Sequence, residues 1–423
     1  MDFFTFFEQY IQAIGQLWTI SWWWAGPIVL FWLFKILWKK YSFGQYLSTL
    51  KFVVLEIKPP RNIERSPRTM EQIFAALFGV WSTPNIIDKY VKGRWYQSFL
   101  SFEIQGVNGE MHFYVRCEAR FRNFVESLFY SQYPEAEIQE VEDYVHSVPR
   151  NVPNPEWDLW GVDYKLSKDD AYPIRTYKYF QEDVTKGMID PLAELADVIA
   201  SLPPGQQIWI QLVVTPEPDG DWQNAVKKLA AKLAGREIKK ESFFLFRFLT
   251  QSWEIIQNAF VYLFSHEVEF ATDEKKDEQP LAFRLTPGEQ EVLKAVEESV
   301  TKKGYRTKLR FIYVGRREGF DRGFVSGVSG AMHQFNDMML NSLAQDNETK
   351  TFANYIWIEP RMRYAQRKIF NRYLDRDPDG PRFVLNSEEL ATIYHMPDMS
   401  VASPSISRVE AKTGGAPLNL PVE

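Results

Sequence analysis

An α+β fold behind a membrane-spanning helix is predicted from three observations. The chain opens on a long uncharged stretch rich in tryptophan. Residues 50–148 then alternate strand-period and helix-period patterns, and residues 157–345 repeat signals of the same kind around an interruption at 217–285.

Gln9 to Phe34 contains no charged residue, and Lys35, Lys39 and Lys40 follow. A transmembrane helix needs roughly 20 mainly apolar residues to cross a hydrocarbon core of about 30 Å. Trp18 to Trp38 meets that length. Indole rings favour the headgroup layer; Trp18, Trp22, Trp23 and Trp24 gather at one end and Trp32 and Trp38 at the other. Membrane helices tolerate a proline such as Pro27. A signal peptide would need a basic start and a small-residue cleavage site, whereas Asp2 and Glu8 precede the stretch and no such site precedes Tyr41. Six tryptophans are also foreign to a buried core helix. Residues 1–40 are therefore expected to be a single-pass anchor in the cytoplasmic (inner) membrane. With lysines behind it and acids in front, the N-terminus lies outside and the bulk of the chain in the cytoplasm.

The composition, 25% charged and 45% hydrophobic, fits ordinary globular domains. The formal charge of −6 opposes a sequence-blind nucleic-acid binder, which is normally basic. Cys117 is the single cysteine, so an intrachain disulfide is excluded and a reducing compartment fits.

In residues 50–148, Phe52 to Ile57 is β-branched and apolar, and Pro59-Pro60 ends it. Ser66-Pro67 supplies a cap and first-turn proline for a helix with Met70, Ile73, Phe74 and Leu77 on one stripe. Leu100, Phe102 and Ile104 alternate with Ser101, Glu103 and Gln105, as in a half-buried strand. Asn108-Gly109 is a hairpin turn. The return strand puts Met111, Phe113, Val115 and Cys117 on one face, and Glu110, His112, Tyr114 and Arg116 on the other. A helix with Phe121, Phe124, Val125 and Leu128 follows, and Ala136 to Tyr144 reads as the last strand. The order β-α-β-β-α-β is the split pattern of a ferredoxin-like sandwich. Two helices would cover one sheet face and leave the other to a partner.

Residues 148–155 are a proline-rich boundary. The second unit, 157–345, is expected to be another sandwich of this kind. Asp190-Pro191 opens a helix with Leu192, Leu195 and Ile199 inward, and Gln207 to Val214 is a strand. Thr286-Pro287-Gly288-Glu289 is a capping box for a helix lined by Leu293, Val296 and Val300. Lys308 to Val314 is the next strand and a last helix runs from Val325 to Leu343. The 217–285 insertion holds a basic helix, Trp222 to Leu233, and an amphipathic stretch, Phe243 to Phe264. That stretch packs on its own domain or lies against the membrane interface or a partner. The acidic run Glu267 to Glu278 is expected to be disordered.

A C-terminal α/β segment, 346–395, carries the basic helix Arg361 to Arg376. Its face of Arg361, Lys368, Arg372 and Arg376 is either simply solvated or meets lipid headgroups or nucleic-acid phosphate. Arg361, Arg363, Arg367, Lys368 and Arg372 are the candidate contacts. Residues 396–423 read as a tail.

Chemistry finds no foothold. The chain lacks G-x-x-x-x-G-K-[ST] and a nucleophile elbow. The glycines from Gly315 to Gly330 lack the G-x-G-x-x-G spacing and are expected to serve a turn and close helix packing. The five histidines are scattered; His266 with Glu267 and Glu269 falls short of a zinc site. No catalytic residue, metal ligand or cofactor is assigned, and a non-enzyme is expected.

Several segments in order carry a resemblance: SPRTMEQIFAAL (66–77), ESLFYSQYPEAEIQEVEDY (126–144), LTPGEQEVLKAVEES (285–299), KLRFIYVGRREGF (308–320), HQFNDMMLNSL (333–343), FVLNSEELATIYHMP (383–397) and APLNLP (416–421). Together they resemble the membrane-anchored N-terminal region of bacterial type IV secretion and conjugative coupling-type (DNA translocase) ATPases, of the candidate-phyla type. The resemblance implies a scaffold or adaptor that positions an ATPase. The ATPase domain is missing from this sequence, so either the partner is a translocase-type ATPase in a separate chain or the protein serves another membrane assembly; the lipid bilayer and a second copy of the protein are the further partners expected. The alternative is a membrane-surface nucleic-acid-binding protein that uses the 361–376 helix.

Overall fold

The structure, a computed structural model, describes residues 3–60, 66–95, 97–180, 189–218, 220–236, 285–377 and 382–398. The expectations for Phe243 to Phe264, Glu267 to Glu278, the His266 cluster and most of the 396–423 tail fall outside these residues.

Helix α1 spans Phe3–Thr49 and runs through Pro27. Then come β1 (Phe52–Lys58), α2 (Arg68–Leu77), α3 (Ile86–Tyr90), β2 (Leu100–Val107), β3 (Glu110–Glu118), α4 (Arg122–Gln132) and β4 (Glu137–Val141). The second half holds β5 (Trp157–Leu166), α5 (Ala193–Ala200), β6 (Gln206–Pro216), α6 (Asp221–Leu233), α7 (Pro287–Val300), β7 (Gly304–Arg316), α8 (Gly323–His333) and β8 (Leu343–Gln345). It closes with α9 (Ile358–Leu374), β9 (Phe383–Asn386) and α10 (Ser387–Ile393).

The fold is α+β, but the strands form one antiparallel sheet. Their order is β4-β1-β3-β2-β6-β7-β5-β8, with β9 added to β7. Each half has the strand order of the split pattern: β4-β1-β3-β2, and read from the far edge β8-β5-β7-β6. The halves meet at β2 and β6, which pair over their whole length from Leu100↔Val214 to Val107↔Gln207. Two free edges thus pair with each other, which leaves only β4 and β8 at the ends of the path.

One sheet face carries the main core. Phe102, Ile104, Phe113, Val115, Ile210, Leu212, Phe311 and Tyr313 point into it and are met by Phe74 of α2, Phe129 of α4, Ile199 of α5, Val328 of α8 and Leu390 of α10. Helices α6 and α7 pack on each other beside it through Val226 and Val296. Two of the predicted local signals, the hairpin turn and the capping box at Thr286, are realised here, whereas α2 starts from Pro67 as its N-cap, without a side-chain cap from Ser66. Asn108 and Gly109 both take positive φ in the hairpin, as a type I′ turn requires. Thr286 and Glu289 form the reciprocal capping box. Gly327 lets α8 approach Val198 of α5, where a Cβ would stand 3.1 Å from the valine.

Two expectations are corrected. The helix from Val325 to Leu343 stops at His333, because polar side chains take over the backbone beyond it. The Asp337 carboxylate accepts from the Met339 and Leu340 amides and Asn336 Oδ1 from the Leu343 amide, an alternative to the helical ladder that Asx residues readily provide. The second sheet face, expected to be open to a partner, is covered by α9 and by the turn Tyr144–Ser147. Among the described residues no helix is long and apolar enough to cross a membrane.

Candidate functional site: a basic helix on a buried polar row

The sequence alternation that put Ser101, Glu103 and Gln105 on one face of β2 continues across the sheet in register. Glu56, Tyr114, Glu103, Gln211, Arg310 and Asp163 are consecutive cross-strand partners from β1 to β5. Glu103, Gln211, Arg310 and Asp163 at the centre of this row are completely buried. Buried polar groups demand partners, and the row supplies them to itself. Gln211 Nε2 donates to Glu103 Oε1 at 3.1 Å, Arg310 Nη1 donates to Gln211 Oε1 at 3.0 Å, and Arg310 Nε donates to Asp163 Oδ1 at 2.7 Å. Asp163 Oδ2 instead faces Lys308 Nζ at 3.6 Å, outside hydrogen-bond reach. Burial pushes that ammonium down to about 8, against the Asp163 charge.

The row docks α9. Phe370 stacks on Trp209 at 6.1 Å and Tyr373 packs tilted against it at 5.3 Å, and Ile369 sits over Gly161, where any Cβ would press on it. The last turn of a helix leaves carbonyls unsatisfied and attracts cations. Here Arg310 Nη1 donates to Arg372 O at 2.6 Å, Gln211 Nε2 to Tyr373 O at 3.1 Å, and Arg376 Nη1 to Leu374 O at 3.1 Å. Nearer the start of α9, Gln366 Nε2 donates to Asp158 Oδ1 and Leu159 O on β5.

Arg376 departs from the expectation that it shares the basic face. It lies past the helix end with φ +49°, is 1% exposed, and turns into the sheet. Its Nε and Nη2 donate to the two Glu103 oxygens at 2.9 Å each, and Nη1 and Nη2 to Asp143 at 2.6 and 2.8 Å. Glu103 also accepts from Ser101 Oγ and Tyr144 OH. Burial alone would raise the Glu103 carboxyl, but the Arg376 charge and these bonds outweigh it and hold it at about 2.

Arg361, Arg363, Arg367 and Lys368 are exposed and Arg372 is half-buried. Three of these are partly spoken for: Arg363 pairs with Glu359 at 3.2 Å, Arg361 Nη1 donates to Asn354 O at 3.1 Å, and Arg372 Nε lies 3.9 Å from Asp377 Oδ2. Lys368 lies over the Tyr364 ring, 5.9 Å from its centroid. A groove of about 590 Å³ runs between α9 and the 347–352 loop, where Lys350, Arg361, Lys368 and Arg372 surround Phe352 and Tyr364. The loop before α9 holds Tyr355 and Trp357 in the left-handed region with both rings largely exposed, a conformation and exposure rare for aromatic residues.

At the other end, Trp23, Trp32 and Trp38 are exposed, as is Lys40, and Lys39 lies over the Trp95 ring at 5.8 Å. The side chains of Trp18, Trp22 and Trp24 lie outside the described residues. Sequence reasoning did not single out Glu103, Gln211, Arg310 or Asp163. Their signal was polar residues at strand spacing, which is the same signal that a solvent-facing strand gives. Glu389 was also missed as a buried carboxyl. It closes a capping box on Asn386 and accepts from the Ile174 amide, and burial outweighs those bonds and raises it to about 7. Among the described residues no group of three or more histidine, cysteine or acidic side chains is placed to hold a metal ion.

No curated protein matches the chain. The family model described as "Domain of unknown function (DUF8128)" matches residues 48–409, which takes in the whole sheet, the polar row and α9. The chain therefore belongs to the DUF8128 family.

Proposed function

We propose that this protein is a membrane-tethered scaffold that performs no chemistry of its own and positions a translocase-type ATPase, carried by a separate chain, in a type IV secretion or DNA-transfer assembly. The observation that carries the tether is the surface of α1. From Ile28 to Leu37 every large apolar side chain is about half exposed or more, on all sides of the helix. A helix apolar all round belongs in a protein core or in lipid, and no protein core surrounds this one. Tryptophans such as those it carries settle at a bilayer interface. Lys35, Lys39 and Lys40 then mark the cytoplasmic boundary. The scaffold half of the reading is supported by the segment resemblance and by a surface on α9 that is built rather than incidental, since side chains of β5, β6 and β7 hold that helix and Arg376 ties its end to β2. In mild detergent, the full chain purified from membranes of its own host is expected to bring a translocase-type ATPase with it. Recovery as a lone monomer contradicts the scaffold role.

The α9 groove favours a second reading, nucleic-acid binding at the membrane surface. Cations beside exposed rings are what single strands use for phosphate contact and base stacking. Replacing Arg361, Arg363, Arg367 and Lys368 with alanine is then expected to flatten the log–log salt dependence of single-strand binding by about 3. Absent or salt-insensitive binding by the unaltered chain removes this reading.

A further inference from the structure

The segment between α2 and β2 is fastened to α1 where α1 would leave the membrane. Trp95 Nε1 donates to Ser42 Oγ at 2.8 Å, and the Trp95 ring lies under Lys39 and against Tyr90, whose centroid is 4.8 Å away. Gly93, at φ +72°, lies so close to the α1 backbone that a Cβ would stand 2.2 Å from Ser42 O. No side chain fits there, so residue 93 must be glycine for the two segments to touch. Arg94 bonds Ser82 and Ser82 N donates to Gln97 Oε1 at 3.2 Å, which ties the loop to itself and to the base of β2.

What this fastened loop displays is apolar. Ile86, Ile87 and Val91 are 76%, 60% and 75% exposed, and Trp81 and Tyr90 add two more open rings. Asp88 is its one acid against Lys89, Lys92 and Arg94, and Asp88 is already paired with Lys92 at 2.9 Å. Ser42 lies four residues beyond Trp38, roughly 6 Å along a helix. A headgroup layer is about 5–8 Å thick on each side of the hydrocarbon. The loop is therefore held at the depth of the headgroups if α1 is in the bilayer. We infer that α3 and its flanks form a collar that inserts Ile86, Ile87 and Val91 into the surface of an anionic bilayer and so fixes the tilt of the sheet relative to the membrane. The inference rests on the tether proposed above. Charge decides the occupant: net positive side chains around an apolar cluster, joined to the apolar band of α1 through Lys39, match anionic headgroups over acyl chains.

Site-directed fluorescence quenching tests the collar in the full chain reconstituted into vesicles of zwitterionic and anionic phospholipid. Cys117 is buried, and burial pushes its thiol up to about 12, so a thiol-reactive fluorophore goes to introduced cysteines. Three are compared: Ile87→Cys on the collar, Trp32→Cys on α1, and Glu297→Cys on the exposed face of α7. Nitroxide-bearing lipids are expected to quench the labels at 87 and 32 several-fold more than the label at 297, and the quenching at 87 is expected to fall when anionic lipid is omitted. A label at 87 that stays unquenched while 32 is quenched overturns the collar and leaves the tether standing. Quenching at neither position overturns the tether itself. Protection at 87 that rises with protein concentration in detergent, without vesicles, assigns the face to a second copy and also overturns the inference.

Discussion

Arg376→Met is expected to destabilise the fold by about 3–5 kcal/mol, the usual cost of stranding one member of a buried ion pair. Glu103 is fully enclosed, and Arg376 supplies both of its charged bonds. Asp143 loses the same partner. The last carbonyls of α9 lose one of their three donors, so α9 should loosen before the sheet does. Urea unfolding of the solubilised chain measures the total, and amide exchange locates the loss. The double variant Glu103→Gln with Arg376→Met removes both charges and should lose clearly less than the sum of the single variants. Additive losses would mean that the two groups are not coupled and that the geometry described here is wrong.

Acidification from about pH 4.5 to pH 2 is expected to cost about 3 kcal/mol through Glu103 alone. Its folded value of about 2 lies below the ordinary 4.5. A carboxyl depressed in this way contributes stability that is present above its unfolded value and lost as pH falls through its folded one. Asp190, buried against its desolvation cost by a bond from His395 Nε2 at 2.9 Å, is also lowered and adds to the same limb. The Glu103→Gln variant isolates the Glu103 share, since it should lack that part of the slope. Arg376→Met should reverse it: without the guanidinium, burial raises Glu103, so the variant regains stability as the carboxyl is protonated. A wild-type slope unchanged by Glu103→Gln would contradict the assignment.

Much of the local structure was legible because it is dictated locally. Asn108-Gly109 can hardly be anything but a tight hairpin, and Thr286-Pro287 with Glu289 carries its own capping chemistry. The split connectivity of the first half follows from the same kind of signal. The fusion of the halves was not legible, because β2 reads alike whether its edge faces water or β6. The polar row was hidden for a related reason. Glu103 and Gln211 alternate with apolar neighbours as solvent-facing residues do, and only the return of α9 from more than a hundred residues away in sequence reveals that they are covered. Arg376 looked like one more member of a basic face. Its departure depends on the left-handed turn at the end of α9 and on two acids, Glu103 and Asp143, that are remote in sequence. The Asn386–Glu389 capping box was within reach of sequence reasoning, since an N-x-x-E spacing is the same signature as at Thr286.

Alkaline carbonate extraction of membranes from cells producing the full chain measures directly whether α1 lies in lipid. Sheets opened by carbonate shed proteins that are held by charge or by other proteins and keep those whose helices are embedded. The intact polypeptide is expected in the membrane pellet after carbonate and after high-salt washing alike. Its appearance in the supernatant under either treatment would contradict the tether, and with it the orientation, the collar and the placement of a scaffold beneath the membrane.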